Sequence, residues 1–329
     1  MKKILFSAPY MLPFVERFRP VFNHYGLELI LPEVHERLEE VEILPYAGQF
    51  DGAICGDDRY TPRVLAACAP RLKVISKWGT GIDSIHAETC HQLGIKLCRT
   101  PNAFTTPVAD SVMGYMLAFA RRQPWMSQQM KSLIWDKIPG KALSEFTLGI
   151  IGVGAIGKAL TRRARAFGMN VLGTDIIDLD HVFVGETGIQ ITHLEDLLAN
   201  SDFISLNCDL NPTSQHILNA ETLKHTKPGA IVINTARGPL VDEPALIAAL
   251  QSGHLGGAAL DVFEVEPLPH DSPLMGMDNV LLAPHNANSS PAAWERVHWN
   301  TIKNVLDGLG IDASDLARFR NEPARSAND

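Results

Sequence analysis

The run Leu148-Gly149-Ile150-Ile151-Gly152-Val153-Gly154-Ala155-Ile156-Gly157 reads as a short apolar strand entering a glycine turn, with a helix expected over 158–167. Each glycine has a separate physical use at this spacing. Gly152 permits a tight turn, Gly154 lets a pyrophosphate approach the backbone, and Gly157 lets helix and strand pack closely. The helix N-terminus presents N–H groups and a partial positive charge to that anion. A second strand, 170–174, follows Gly168 and ends on Asp175. A carboxylate about 20 residues past the glycines is placed to bind the ribose hydroxyls of an adenosine. It also repels a 2′-phosphate, so the pattern predicts NAD rather than NADP. Glycine turns alone are common, and it is the flanking strand, helix and acid that make this one specific.

Strand–helix alternation extends on both sides. Strands are expected over 3–8, 27–31, 50–55 and 72–76, then 203–207, 230–234, 257–262 and 280–283. A helix over 14–25 is limited by Pro20 and ended by Gly26, and another, 61–67, is opened by Thr61 and Pro62. Residues 33–42 are charged and suit a surface helix or loop. A long helix starts at Thr106 with Asp110 in its first turn, and a second spans 125–135. Val108, Val112, Tyr115, Met116 and Phe119 recur there at helical spacing, which suits a buried linker helix and a dimer surface equally. Thr192 with Glu195 has capping-box spacing, Asp242 caps a helix that Gly253 ends, and an amphipathic helix covers 291–309. Beyond Gly310 the polar tail carries no signal. The pattern predicts an α/β fold with open parallel sheets.

The chain has 329 residues, enough for roughly two domains, and 46% hydrophobic with 20% charged residues suits globular cores. A net charge of −8 leaves no basic surplus for nucleic acid. Five cysteines without a CxxC pair point to reduced thiols, and the single Cys90-His91 pair cannot build a metal site, so no metal is expected. The N-terminal apolar run is short and broken by Pro9 and Pro13, and no stretch approaches roughly 18 apolar residues. A cytoplasmic protein with no membrane partner is expected.

Ligands of open α/β sheets sit outside the carboxyl ends of the strands. Arg237 follows one strand, Asp261, Glu264 and Glu266 the next, and His285 the last. Alone, each has an ordinary structural reading: Arg237 an ion-pair partner, Glu266 a turn cap, His285 a surface residue. Together they suit reduction of a 2-keto acid. An arginine fork binds the carboxylate bidentately and polarises the ketone oxygen, and a histidine delivers a proton as hydride arrives. A neighbouring glutamate favours the imidazolium form. The other eleven histidines have no comparable context, and His298 is read as a packing or surface residue.

These motifs resemble the D-isomer-specific 2-hydroxyacid dehydrogenase family, which includes phosphoglycerate dehydrogenases and glycerate, glyoxylate and hydroxypyruvate reductases. The likeness covers roughly residues 51–309. It runs in order through Leu72-Lys73-Val74-Ile75 to Asp83, Thr100-Pro101-Asn102-Ala103, Val108-Ala109-Asp110 and Gly152–Gly157. It continues through Lys227-Pro228-Gly229-Ala230, Asn234-Thr235-Ala236-Arg237-Gly238, Asp261–Pro267 and Pro284-His285. The resemblance implies two Rossmann-like or flavodoxin-like domains with a cleft between them. Residues 1–100 plus 290–329 would form the substrate domain and 101–289 the NAD-binding domain. It implies Arg237 as substrate anchor, His285 as acid/base and Glu266 as its partner. Lys77, Trp78, Gly79, Thr80 and Gly81 would contact substrate, Trp78–Gly81 through backbone N–H groups. NAD would contact Gly152, Gly154, Ala155, Ile156, Gly157, Asp175, Asn207, Cys208, Thr235, Ala236, Asp261 and His285, with Asp175 on the adenosine ribose and Asp261 on the nicotinamide carboxamide. A homodimer through the helical arm after Thr106 is also implied.

Departures bear on substrate. Gly56-Asp57-Asp58 stands where many relatives carry an arginine that binds substrate phosphate, which weakens a phosphoglycerate assignment unless Arg59 or Lys77 compensates. Asn286-Ala287-Asn288 is more polar than the usual segment, and Asn207-Cys208-Asp209 replaces a common His-x-Pro beside the adenosine. The chain is expected to lack the regulatory domain of some phosphoglycerate dehydrogenases. Two alternatives are a formate- or phosphite-type dehydrogenase, disfavoured by the acidic Asp57-Asp58 turn, and an NAD-sensing corepressor-like binding protein, disfavoured by the compact chain.

Overall fold

The computed structural model describes residues 1–320; the last nine residues of the polar tail lie outside the described residues. The chain forms two compact units, Met1–Ala103 with the chain from Ser290 onward, and Phe104–Ser289.

The first unit is built on a parallel sheet of β1 (Lys2–Phe6), β2 (Leu27–Ile30), β3 (Gly52–Cys55), β4 (Val74–Lys77) and β5 (Lys96–Cys98), in the order β2-β1-β3-β4-β5. β3 and β4 are buried along their whole length, as strands covered by helices on both faces must be. One cover is the helix Pro291–Gly308, capped by the Ser290 hydroxyl and burying Val297, Ile302 and Val305. It is fastened to the sheet by the Ser76 hydroxyl, which donates to the Thr301 carbonyl (2.9 Å), and by Asn300 Nδ2, which donates to Thr100 Oγ1 (2.8 Å). Pro20 does not limit its helix. It lies inside Val15–His24, where burial of Phe18, Val21 and Phe22 outweighs the lost backbone bond.

The second unit holds β6 (Thr147–Ile151), β7 (Asn170–Thr174), β8 (Gln190–Ile191), β9 (Phe203–Leu206), β10 (Ile231–Asn234), β11 (Gly257–Leu260) and β12 (Val280–Leu282). The order is β12-β11-β10-β9-β6-β7-β8, all parallel. Strand order reverses beside β6, and such a switch point opens a crevice where dinucleotides bind.

Helix boundaries brought three corrections. The long helix is Thr105–Arg121, so Asp110 lies in its second turn, paired with Arg163 (2.6 Å). Its spaced Val108, Val112, Met116 and Phe119 are buried, the last three in the second unit's own core with Leu148, Ile150 and Leu160. The following helix is Gln123–Lys131 and stops short of Trp135, because Leu133 takes a left-handed backbone (φ +62°). Thr192 is not a helix cap: its N–H extends the sheet by donating to the Gly173 carbonyl, and His193 takes the cap position of Leu194–Asn200. No helix among the described residues is long and apolar enough to cross a membrane.

Candidate active site

The glycine turn leaves β6 and enters the helix Ala155–Ala166, with Gly154 at its cap. Gly152 holds φ +90°, and a Cβ there would stand 2.6 Å from the Cys208 backbone nitrogen. A Cβ on Gly157 would stand 2.3 Å from the Gly152 carbonyl oxygen. Any side chain at either position would push the turn off the sheet. Gly154 is the opposite: it is exposed and nothing stands within 4 Å of where its Cβ would be. The first bond inside the helix runs from Lys158 N–H to the Gly154 carbonyl, so the amides of Ala155, Ile156 and Gly157 head the helix as orphan donors suited to an anion.

Asp175, at the end of β7, accepts the Val153 N–H on Oδ2 (2.7 Å) and the Ile177 N–H on Oδ1 (3.2 Å). It therefore braces the turn and remains half-exposed. Asn207 and Cys208 follow β9, and Thr235 and Ala236 follow β10. Asn207 Nδ2 donates to Ser205, yet Asn207 Oδ1 and Thr235 Oγ1 are buried with no protein partner. Buried polar atoms without partners are costly, and two at neighbouring strand ends beside an open glycine turn fit a polar ligand such as a dinucleotide. Burial pushes the Cys208 thiol up to about 11, so it stays protonated and unreactive.

The three remaining loops follow β10, β11 and β12, which are neighbours in the sheet. Arg237 is half-buried, with Nη1 donating to the Ala236 carbonyl (2.8 Å). His285 Nδ1 meets Glu266 Oε2 at 3.0 Å, while Glu266 Oε1 accepts the Phe263 N–H (3.0 Å). The glutamate is thus oriented by backbone and the imidazole by the glutamate. His285 has φ +52°, and its N–H donates to the Asp261 carbonyl (2.8 Å). Asp261 is 1% exposed, and its two oxygens accept the N–H groups of Asn286 (2.7 Å) and Ala287 (2.8 Å). Burial raises its pKa, and those two bonds pull it back. Both carboxylate oxygens therefore serve the His285 loop, a role that its expected contact with a nicotinamide did not suggest.

In the first unit, Lys77 is buried, with its ammonium on Asp57 (3.1 Å) and on the Trp78 carbonyl (3.0 Å). It is committed inside the protein and does not stand in for a phosphate-binding arginine. The Trp78 N–H is taken by the Cys55 carbonyl and its indole donates to His298 Nδ1 (2.9 Å), which leaves the amides of Gly79, Thr80 and Gly81 as this segment's candidate donors. Burial lowers the pKa of His298 to about 4, as suits a neutral packing residue that accepts the bond.

The acidic turn likewise does not present two carboxylates. Asp58 is fully buried, accepting from the Ser7 hydroxyl and the Leu38 N–H, and burial pushes it up to about 6. Because that is above the ordinary 3.8, its contribution to stability is complete below about pH 3.8 and is lost as pH rises through about 6. Asp58→Asn should therefore stabilise the protein at pH 7.5, by on the order of 1–3 kcal/mol. It should also flatten the loss of Tm between about pH 4 and 7. A Tm at pH 7.5 below wild type would contradict this.

One pair escaped the sequence reading. His216 Nε2, on the loop after β9, lies 2.7 Å from Oε1 of Glu264, which shares its loop with Glu266. Nothing at a separation of 48 residues signals it, although Glu264 sits two residues from Glu266.

Comparison with known proteins fits this geometry. Residues 113–287 match the model of the D-isomer specific 2-hydroxyacid dehydrogenase NAD binding domain. The hydroxypyruvate reductase of Thermotoga maritima is 35% identical over 281 residues, covering 84% of this chain and 90% of that protein. The D-3-phosphoglycerate dehydrogenase of Methanocaldococcus jannaschii is 37% identical over 282 residues, 84% of this chain but 53% of the relative, so the chain spans about half of that longer protein. Among solved structures, D-lactate dehydrogenase from Aquifex aeolicus, in complex with NAD and lactic acid, superposes with a TM-score of 0.82 at 27% identity, covering 96% of this chain and 97% of that one.

Proposed function

The chain belongs to the D-isomer specific 2-hydroxyacid dehydrogenases, and from that premise we propose that it reduces small, unphosphorylated 2-keto acids with NADH. The observation that carries the reading is the 3.0 Å contact between His285 and Glu266, on loops adjoining that of Arg237. The bound nicotinamide supplies the hydride. The Arg237 guanidinium takes the substrate carboxylate as a charge-assisted fork and steadies the carbonyl oxygen as it gains negative charge. His285 gives the Nε2 proton to that oxygen, so ketone, hydride and proton become the alcohol, and the imidazole is left neutral. Glu266 holds the ring in the tautomer with hydrogen on Nδ1 and stabilises the imidazolium before transfer. Asp261 keeps the His285 loop in register through Asn286 and Ala287. The Asp175 carboxylate favours NADH over NADPH.

The Lys77 ammonium is held by Asp57 and so is not available to a phosphate, which supports an unphosphorylated substrate. Exposed Leu133 and Trp135, 95% and 81%, after the helix Gln123–Lys131 support a homodimer through that arm. Five free cysteines support a cytoplasmic setting. NADH oxidation against glyoxylate, hydroxypyruvate, phosphohydroxypyruvate and branched-chain 2-keto acids tests the reading. Hydroxypyruvate or glyoxylate should exceed phosphohydroxypyruvate at least tenfold in kcat/KM. A preference for the phosphorylated acid, or no turnover with any of them, would refute the substrate class.

A further inference from the structure

Between β9 and β10 the backbone of His216 takes φ +50°, a left-handed conformation that costs a non-glycine residue on the order of 1 kcal/mol. Its surroundings account for what holds it there. The His216 N–H donates to the Pro239 carbonyl (2.9 Å) and its carbonyl accepts from Asn219 Nδ2 (2.9 Å). Two residues on, Leu218 N–H donates to Leu240 (3.2 Å) and Asp242 N–H donates back to Leu218 (2.8 Å). The segment thus runs parallel to the loop that begins with Arg237, bridging Leu218 to Val241. The ring reaches the other way, to Glu264, whose own N–H points to Glu243 Oε2 (3.4 Å). Glu264 is one residue from Phe263, which fixes Glu266. The loops of Arg237 and Phe263 also touch: a Cβ on Gly238 would stand 1.8 Å from the Phe263 carbonyl oxygen. One residue therefore ties the loop after β9 to the loops that carry Arg237 and Glu266.

We propose that His216 and Glu264 form a positioning pair that fixes Glu266, and through it His285, against Arg237. The proposal rests on the catalytic reading of those three residues. The backbone geometry supplies a clean test, because glycine at 216 keeps the left-handed turn and its backbone bonds without strain and removes only the ring. As a half-exposed side-chain contact the pair is worth little to stability, whereas displacing a catalytic group by about 1 Å costs on the order of a hundredfold.

His216→Gly and Glu264→Ala should each lower kcat ten- to a hundredfold with the keto acid that wild type reduces fastest. The double variant should lose no more than the worse single one, NADH affinity should hold within about twofold, and Tm should stay within about 3 °C. Glu264→Gln, which keeps an acceptor opposite the ring, should recover most of the loss. A folded His216→Gly or Glu264→Ala protein with kcat within twofold of wild type would overturn the pairing role, as would a loss in Glu264→Gln equal to that in Glu264→Ala. An active wild type with unaffected variants would sink this proposal alone. A wild type inactive on the whole panel would sink the catalytic reading and this proposal with it.

Discussion

Arg237→Ala is expected to lower kcat/KM for the preferred 2-keto acid by on the order of 10³–10⁴, while NADH affinity stays within about threefold. Two losses combine. Removing a preorganised donor to the developing oxyanion costs about 10²–10³. The charge-assisted bonds to the carboxylate contribute further at about 1.5–3 kcal/mol. The first appears in kcat and the second in KM, so both should move. NADH binding should be spared because the substitution leaves the loop intact: Asn234 Nδ2 donates to the Arg237 backbone carbonyl (2.9 Å), and the Ala236 N–H donates to Asn234 Oδ1 (3.1 Å), neither needing the guanidinium. Arg237→Lys should recover only part of the loss, since an ammonium offers a point charge where a planar fork is required. Steady-state kinetics and a fluorescence titration of NADH read the two quantities separately. An equal loss of NADH affinity would place Arg237 in the cofactor site instead.

What could be read from the chain alone follows from how each feature is encoded. The glycine turn is local: Gly152, Gly154 and Gly157 lie within six residues, and the clashes at Gly152 and Gly157 explain why only glycine serves there. Arg237, Glu266 and His285 were legible because strand ends of a parallel sheet face one side, so three separate motifs could be brought to one edge without coordinates. β8 and β5 were missed because two or three residues carry no periodicity. The side-chain bonds were harder. Asp261 acts on amides 25 and 26 residues away, and His216 on a carboxylate 48 residues away. Lys77 reads as a spare cation in the sequence, whereas in the fold Asp57 takes its charge. Such pairings depend on loop paths between strands, which spacing does not encode.

The second large effect concerns the proton. His285→Asn is the more informative substitution, since asparagine tolerates the left-handed backbone that His285 adopts at φ +52° better than alanine does. It should lower kcat by about 10²–10⁴, the usual worth of a positioned general acid. The pH dependence of kcat/KM should lose the limb contributed by the imidazole. Glu266→Gln should cost less. A glutamine offers a single acceptor oxygen where the carboxylate serves both the Phe263 N–H and His285 Nδ1, so ring orientation weakens while the proton carrier remains. The order His285→Asn, then Glu266→Gln, then wild type is the expected ranking in kcat loss. That ranking separates a proton donor and its orienter from two residues that merely shape the loop. If the loop alone mattered, Asp261→Asn, which weakens the acceptors for Asn286 and Ala287, would cost as much as His285→Asn and would preserve no distinction in the pH profile. Turnover of His285→Asn at the wild-type rate would end the acid/base assignment. Turnover reduced but with an unchanged pH profile would assign the proton to another group and leave His285 as a substrate contact.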